Sequence, residues 1–275
     1  MKLLPNEIKN IIKEYLIFKP KTYNELRTAV YLWCENKDDA IAKYCHISIW
    51  DTSLITDMSC LFLRKTKFND NISNWNVSLV TDMNYMFDGC EKFNQPLNSW
   101  NVSSVTSMKN MFLNAHSFNH PLNSWDVSSV TDMDSMFCGA RSFNQSLNSW
   151  DVSLVTTMSY MFCRAHSFNQ PLNLWDVSSV TKMSYMFYRA NSFNQPLNSW
   201  DISSVNYMDR MFSRASSFNQ SIDSWDLKSV YEKINMFYKA SSFNQPLDPW
   251  CNLISDDYAD EIFCAENKIN KLKLN

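Results

Sequence analysis

Tryptophan recurs every 25 residues along most of this 275-residue chain, with no insertion or deletion in the series. The series consists of Trp50, Trp75, Trp100, Trp125, Trp150, Trp175, Trp200, Trp225 and Trp250. A single fixed period is the signature of a repeat protein, in which one unit is too small to bury its own apolar side chains and neighbouring units share a core. The spacing therefore predicts eight stacked 25-residue units, closed at both ends by caps of different sequence.

Phenylalanine, methionine and asparagine keep the same period. Phe stands at the twelfth and eighteenth positions after each Trp from Trp50 to Trp225, as in Phe137 and Phe143. Met fills the eighth position in seven of the eight units and the eleventh position in seven, as in Met133 and Met136. Exposed methionines can bind diverse partners or copper, but columns locked to Phe and Trp predict a core role. Asn144 has a counterpart in every unit and is predicted to hydrogen-bond the backbone of its own turn and of the next coil.

The apolar spacing within one unit, residues 121–145, predicts its secondary structure. Leu122, Trp125 and Val127 follow the L-x-x-L-x-L pattern of a leucine-rich-repeat strand. Apolar residues from Val130 to Ala140 then recur at steps of three and four, which favours a short helix or 3-10 turn. The predicted fold class is an α/β repeat solenoid. It is a leucine-rich-repeat-like right-handed superhelix with a short parallel strand and a short helix or 3-10 turn in each unit, and helical caps at both ends.

The chain is predicted to have four parts. Residues 1–19 form an amphipathic helix, 20–49 a helical N-terminal cap, 50–250 the eight repeats, and 251–275 a C-terminal cap helix. In the N-terminal cap, a capping box of Thr22 and Glu25 precedes an apolar stripe. The stripe consists of Leu26, Ala29, Val30 and Trp33.

The repeat consensus, SFNQPLNSWDVSSVT followed by M-x-x-MF, resembles the bacterial-surface-protein (BspA-like) repeat family. Members of this family are leucine-rich-repeat relatives found in mycoplasma lipoproteins, and similar repeats occur in large DNA viruses. The resemblance covers residues 50–250 and implies a binding or adhesion surface with no catalytic residues. Because the chain shows neither a secretory signal nor a transmembrane segment, we expect an intracellular protein, in the host cytoplasm if it is viral, without membrane insertion.

The N-terminal motif L-P-x-E-I-x-x-I-I-x-x-Y-L resembles the opening of an F-box. Its residues are Leu4, Pro5, Ile8, Ile11, Ile12, Tyr15 and Leu16. The isoleucines and the last two residues share one face of a helix. The resemblance implies docking to a Skp1-like protein, whereas the alternative is a helix that packs on the cap.

Nothing in the repeats predicts catalysis or a cofactor. An enzyme site needs unlike residues converging in one pocket, whereas a near-identical repeat offers the same residues on every coil. His116 and His166 hold the same position two units apart and are interpreted as variable surface residues. The eight cysteines show no CxxC spacing and are expected to be free thiols, including Cys138 and Cys163, which occupy the same position in adjacent units and could touch. We expect no metal.

Two charged columns are the candidate partner-binding residues. The acidic column follows the Trp series and comprises Asp126, Asp151, Asp176, Asp201 and Asp226. It either caps the turn that follows each Trp or forms a stripe for a basic partner. The basic column comprises Arg164, Arg189, Arg214 and Lys239. It ends the predicted helical turn, where cations suit the helix dipole, and it could also contact phosphates.

The predicted function is a non-enzymatic scaffold that mediates protein–protein interaction, with an unidentified protein as partner. The net charge of −3 argues against nucleic-acid binding. Two alternatives remain open: an F-box-type substrate adaptor of a ubiquitin ligase, and a structural or surface protein of a virion or cell. Co-purification with a Skp1-like protein would favour the first, and presence in purified particles the second.

Overall fold

A computed structural model describes residues 17–246 of the chain. The F-box-like motif from Leu4 to Leu16 and the predicted C-terminal cap helix at 251–275 lie outside the described residues. The boundaries predicted for those two parts therefore stay predictions.

The N-terminal cap consists of two helices, α1 (Tyr23–Glu35) and α2 (Lys37–Tyr44). The hydroxyl of Thr22 accepts a hydrogen bond from the backbone N–H of Glu25 (3.2 Å), which satisfies a donor that the first turn of α1 would otherwise leave free. The predicted stripe of α1 is confirmed, because all four of its apolar residues are buried. A 3-10 turn (Ile47–Ile49) leads the chain from α2 into Trp50.

The repeats contain turns instead of the predicted strand and helix. Between Trp50 and residue 246, the described part of the chain has one 3-10 turn (Leu227–Ser229) and no α-helix. The coils are joined by isolated parallel bridges, one between each adjacent pair, from Asp57↔Asp82 to Tyr207↔Glu232. The predicted α/β leucine-rich-repeat solenoid is therefore wrong: the units stack, but each is a coil of linked turns.

The predicted strand fails because its residues close turns on themselves. The N–H of Trp125 donates to the carbonyl of Leu122 (3.1 Å), and that of Val130 donates to Val127 (2.9 Å). Leu122, Trp125 and Val127 are all buried, as the pattern required, but the turns bury them without an extended strand. The alternation of apolar residues indicated which side chains face the core and left the backbone conformation open.

The predicted helix fails because its N–H groups bond to the next coil. Met133, Ser135, Phe137 and Gly139 each donate to a carbonyl 24 residues further on, at 2.7–3.1 Å. The alternate residues donate three residues back, as Cys138 does to Ser135 (3.0 Å). A donor used between coils cannot also form the i to i−4 bond of an α-helix. We call this repeated segment, positions 133–140 of the fourth unit, the turn ladder.

The aromatic and methionine columns form one continuous core, as predicted. The ring centroids of Phe112 and Phe137 in adjacent coils lie 5.6 Å apart, and Phe137 packs on Phe143 of its own coil at 4.1 Å. Met133 and Met136 are fully buried. The core role of the methionines is therefore confirmed, and none of these side chains is available as a surface ligand.

The asparagine column joins the coils at the opposite end of each unit. The Oδ1 atom of Asn119 accepts from the backbone N–H of Asn144 (2.9 Å) and from Nε2 of Gln145 (3.0 Å). The same pair of bonds recurs in coil after coil, for example on Asn144 from Asn169 and Gln170. The predicted contact of this column with the next coil is confirmed.

Candidate interaction surfaces

The basic column lies on the turn ladder, at a position where the backbone is left-handed. Arg164, Arg189, Arg214 and Lys239 have φ angles of 55–60°, and Gly139 has 71° at the same position. The N–H of Ala140 donates to Phe137 (3.0 Å), so Gly139 is the third residue of a four-residue turn, where a positive φ is typical of type II. The helix-dipole explanation of the column is wrong because no helix ends there. The four cations occupy positions at which glycine would be less strained.

Three members of the basic column lie over tyrosine rings. The guanidinium carbon of Arg189 is 5.4 Å from the ring centroid of Tyr188. Two cations lie over the ring of Tyr238. The guanidinium carbon of Arg214 is 5.7 Å from the ring centroid, and Nζ of Lys239 is 5.3 Å from it. These distances are within the range of cation–π attraction, which orients the long side chains on the surface.

A second row of aromatic and basic residues runs beside the first. Tyr160 and Tyr185 stack in adjacent coils, with their ring centroids 4.6 Å apart. Arg210 of the next coil donates from Nη1 to the hydroxyl of Tyr185 (3.1 Å) and lies over the same ring. All three residues have positive φ angles, 51–60°. We call the two rows together the arginine–tyrosine face. It comprises Tyr160, Arg164, Tyr185, Tyr188, Arg189, Arg210, Arg214, Tyr238 and Lys239.

The cations of this face outnumber the carboxylates beside it. In coils five to eight, Asp209 lies on the turn ladder and Glu232 directly precedes it. A hydrogen bond with the carboxyl group of Asp209 raises the pKa of Glu232, and the negative charge of Asp209 raises it further. Within residues 17–246, none of the face's arginines forms an ion pair with a carboxylate. The face therefore presents net positive charge.

The acidic column caps the turns that follow each Trp. Oδ1 of Asp126 accepts from the N–H (3.1 Å) and the hydroxyl (2.6 Å) of Ser128. Asp151 and Asp176 repeat both bonds, Asp201 accepts from the N–H of Ser203 at 3.0 Å, and Asp226 from that of Lys228 at 3.1 Å. The hydroxyl of Ser128 holds the pKa of Asp126 below its usual range. These bonds support the capping alternative, and the exposed carboxylates keep partner binding open as a prediction.

The structure does not bring the two charged columns together. No hydrogen bond or ion pair joins them within the described part of the chain. One column follows the Trp series and the other lies on the turn ladder, so a partner would meet them as separate surfaces. A scaffold of identical coils repeats each column at a constant spacing along the stack.

A comparison with known protein families identifies the repeats. The model of the family described as Mycoplasma protein of unknown function, DUF285, matches residues 35–150, 132–250 and 172–272. The chain belongs to this family. No curated protein and no solved structure is significantly similar to the chain.

The DUF285 repeats offer no metal site in the described residues. No group of three His, Cys, Asp or Glu side chains is placed to hold an ion between residues 17 and 246. Burial lowers the pKa of both His116 and His166, and the positive charge of Arg141 lowers it further.

Among the helices that the structure describes, none has the length and apolar character needed to cross a bilayer.

A cleft of about 430 Å³ lies between the end of α1 and the first coil of the DUF285 stack. Four of its charged groups form ion pairs across it, with Lys37 2.5 Å from Asp70 and Lys65 2.6 Å from Glu35. The indole N–H of Trp33 also donates to Asp70 (2.8 Å). Because these contacts fasten the cap to the first coil, we assign the cleft a structural role.

The tyrosines of the face were missed by the sequence reasoning. Tyr160 and Tyr185 stand 25 residues apart, and Tyr188 precedes Arg189, so a periodic signal was present. It was weak because, apart from Tyr85, the corresponding positions of other units hold residues of other types, such as Ser135 and Leu113. The contacts that make them a surface cross from one coil to the next and depend on the stacking.

Proposed function

We propose that this DUF285 protein is a non-enzymatic scaffold that binds an acidic segment of another protein through its arginine–tyrosine face. The observation that carries the proposal is the set of cations held over tyrosine rings on consecutive coils, without carboxylate partners. Arg and Tyr are the residue types that most often dominate binding energy at protein interfaces. The BspA-like resemblance, which implies a binding surface, points the same way.

Rigid support strengthens this proposal. Backbone hydrogen bonds between coils run directly beneath the face, for example from Tyr185 N to Asp209 O (2.7 Å) and from Arg189 N to Ser213 O (3.0 Å). A backbone fixed in this way loses little conformational entropy when a partner binds. The tyrosines also have few rotatable bonds, and stacking already limits their motion.

An acidic protein segment fits the face better than a nucleic acid does. Single-stranded nucleic acids bind aromatic platforms by stacking bases on open ring faces. The ring of Tyr185 contacts Tyr160 of the preceding coil and Arg210 of the following coil. Its faces are therefore occupied, whereas each guanidinium has further N–H groups that can donate to carboxylates.

The test uses the full-length protein, a fluorescent oligoglutamate peptide and an oligothymidylate of similar charge, followed by fluorescence anisotropy. We expect the peptide to bind in a salt-dependent manner, and Arg189→Glu with Arg214→Glu to weaken it by about tenfold or more. Arg64→Glu is the matched control. Arg64 holds the same left-handed turn position in the first coil (φ 57°). Five coils separate it from Arg189, about 24 Å, well beyond the screening length of physiological salt.

Two results would reject the proposal. The first is peptide binding that both charge reversals leave unchanged. The second is binding of the oligothymidylate that is tighter than that of the peptide and is lost in the same variants. The acidic column is tested in parallel with Asp176→Asn and Asp201→Asn, which keep the capping oxygen and remove the charge.

A ubiquitin-ligase adaptor is the second candidate, supported by the F-box-like spacing from Leu4 to Leu16. In this role a Skp1-like protein would bind the N-terminal motif and the repeats would select the substrate. Ile8→Asp with Ile12→Asp should abolish co-purification with a Skp1-like protein and leave peptide binding by the repeats intact. Absence of any such association in the wild-type protein would eliminate this candidate.

A further inference from the structure

Cys138 and Cys163 are neighbours on consecutive coils of the turn ladder. The N–H of Phe137 donates to Met161 (2.9 Å) and that of Gly139 to Cys163 itself (2.7 Å), which fixes the two cysteines in register. Residues in register on hydrogen-bonded neighbouring chains lie about 4.8 Å apart. A disulfide requires Cα atoms roughly 4.4–6.8 Å apart, so the backbone already meets this condition.

The surroundings make the two thiols unequal. A hydrogen bond from Cys138, assisted by Arg164 and Arg189, holds the pKa of Cys163 below its usual range against the effect of burial. The same hydrogen bond, together with burial, raises the pKa of Cys138. Arg164 and Arg189 thus favour the thiolate form at Cys163, and the thiol of Cys138 is placed to donate to it. An attacking thiolate beside a neutral thiol is the arrangement that reversible disulfide formation uses.

We propose that Cys138 and Cys163 form a redox-modifiable pair that a hydroperoxide converts into a disulfide. The Cys163 thiolate attacks the terminal oxygen of the peroxide, the O–O bond breaks, and the alkoxide or hydroxide released takes up a proton. Cys163 is then a sulfenic acid. Cys138 attacks its sulfur, the S–S bond forms, and the sulfenic oxygen leaves as water with the proton of Cys138. The peroxide is reduced and the two thiols lose two electrons.

The pair differs from Cys90, another thiol of the repeats. Cys90 is fully buried, its thiol donates to the carbonyl of Phe62 (3.0 Å), and burial raises its pKa. Cys163 is 5% exposed and lies next to the arginine–tyrosine face, with Tyr160 and Arg164 beside it in the sequence and in space. Gly139, which directly follows Cys138, gives the backbone freedom to adjust when the sulfurs approach. The disulfide would link coil four to coil five covalently.

The test is peptide mapping of the full-length wild-type protein after exposure to hydrogen peroxide and alkylation of the remaining thiols. Trypsin releases residues 110–141 and 142–164 as separate peptides, each with one cysteine. We expect them to be recovered as one cross-linked species, two hydrogen atoms lighter than their sum, and as separate peptides after reduction. Cys163 should also react with iodoacetamide at neutral pH about tenfold faster than Cys90, the internal control.

Single variants assign the roles of the two thiols. With Cys138→Ser, oxidation should stop at a Cys163 sulfenic acid that dimedone traps. With Cys163→Ser, Cys138 should stay reduced at the same peroxide dose. Failure to recover the cross-linked peptides from the wild-type protein would overturn the proposal, as would equal alkylation rates for Cys163 and Cys90. Both decisive measurements use the unaltered chain, so neither depends on the folding of a variant.

Discussion

The indole N–H of Trp150 donates a hydrogen bond to the backbone carbonyl of Leu122 in the preceding coil, at 3.0 Å. The same bond recurs along the Trp series, as from Trp175 to Leu147 (2.9 Å). Tryptophan thus fills the core and adds a second hydrogen bond to a carbonyl of the preceding coil, which also accepts from a backbone N–H of its own turn. No other apolar side chain of this size carries a donor at that place, which explains why the series has no substitutions.

Trp150→Phe is expected to destabilise the stack by about 1–3 kcal/mol, because it removes one of the two hydrogen bonds to the buried carbonyl of Leu122 and also removes core volume. Urea unfolding followed by circular dichroism measures the effect. Leu174→Ala is the control, since Leu174 is 70% exposed and should change the midpoint little. Equal midpoints for Trp150→Phe and the wild type would show that the indole bond contributes nothing.

Because the basic column lies at a left-handed turn position, glycine and alanine variants of one arginine should differ in stability and have the same peptide affinity. Arg189→Gly should stabilise the protein by about 1 kcal/mol relative to Arg189→Ala, because only glycine is unstrained at a φ of 57°. Both variants should lose the same amount of peptide affinity, since both lack the guanidinium. Urea midpoints and peptide anisotropy of the two variants measure this. If the glycine variant is no more stable than the alanine variant, the backbone of residue 189 is not strained and the prediction is wrong.

The reverse substitution is expected to be harmful. Gly139→Ala puts a Cβ atom at a φ of 71° and into collision with Oδ1 of Asn114. At the equivalent Gly89, the added Cβ would meet Cα of Arg64 at 3.3 Å, a milder contact. We expect Gly139→Ala to cost about 1–2 kcal/mol from its backbone alone. Combining Gly139→Ala with Asn114→Ala should restore the part of the lost stability that is due to the collision. The unfolding midpoints of the single and double variants measure this.

The asparagine column predicts a clear difference between two substitutions of one residue. Asn144→Ala leaves the N–H of Asn169 and Nε2 of Gln170 without their acceptor and should cost about 1–3 kcal/mol. Asn144→Asp keeps an acceptor oxygen for both donors and should cost much less. Thermal unfolding at neutral pH compares the two. Similar losses for both variants would mean that the acceptor is not what the column provides.

The acidic column predicts a loss of stability in acid. Hydrogen bonds from Ser128, Ser178 and Ser203 lower the pKa values of Asp126, Asp176 and Asp201. A lowered folded-state pKa gives stability that is present above the unfolded value, about 3.9, and lost as the pH falls through the folded value. Asp176→Asn should reduce the slope of melting temperature against pH below about pH 4. Asn76 and Asn101 accept the same backbone bond without a charge, so the fold tolerates this change. An unchanged slope would contradict this prediction.

The sequence by itself determined the number of units, the buried columns and the N-terminal cap. An uninterrupted period of 25 residues admits little besides a stack, and Trp125, Met133 and Phe137 could be placed in its core because only shared burial accounts for so many large apolar residues. The tertiary structure alone decided the backbone. Apolar spacing reports which way a side chain faces, and both a strand and a chain of turns satisfy it.

The turn ladder is not a helix because of the acceptors that its backbone N–H groups use. In isolation, the segment from Met133 to Ala140 has the spacing of a helix, but its alternate N–H groups find carbonyls on the next coil. That choice exists only when the neighbouring coil is in place. The same stacking sets Arg210 on Tyr185 and Cys138 beside Cys163, residues that are 25 positions apart in the chain and adjacent in space.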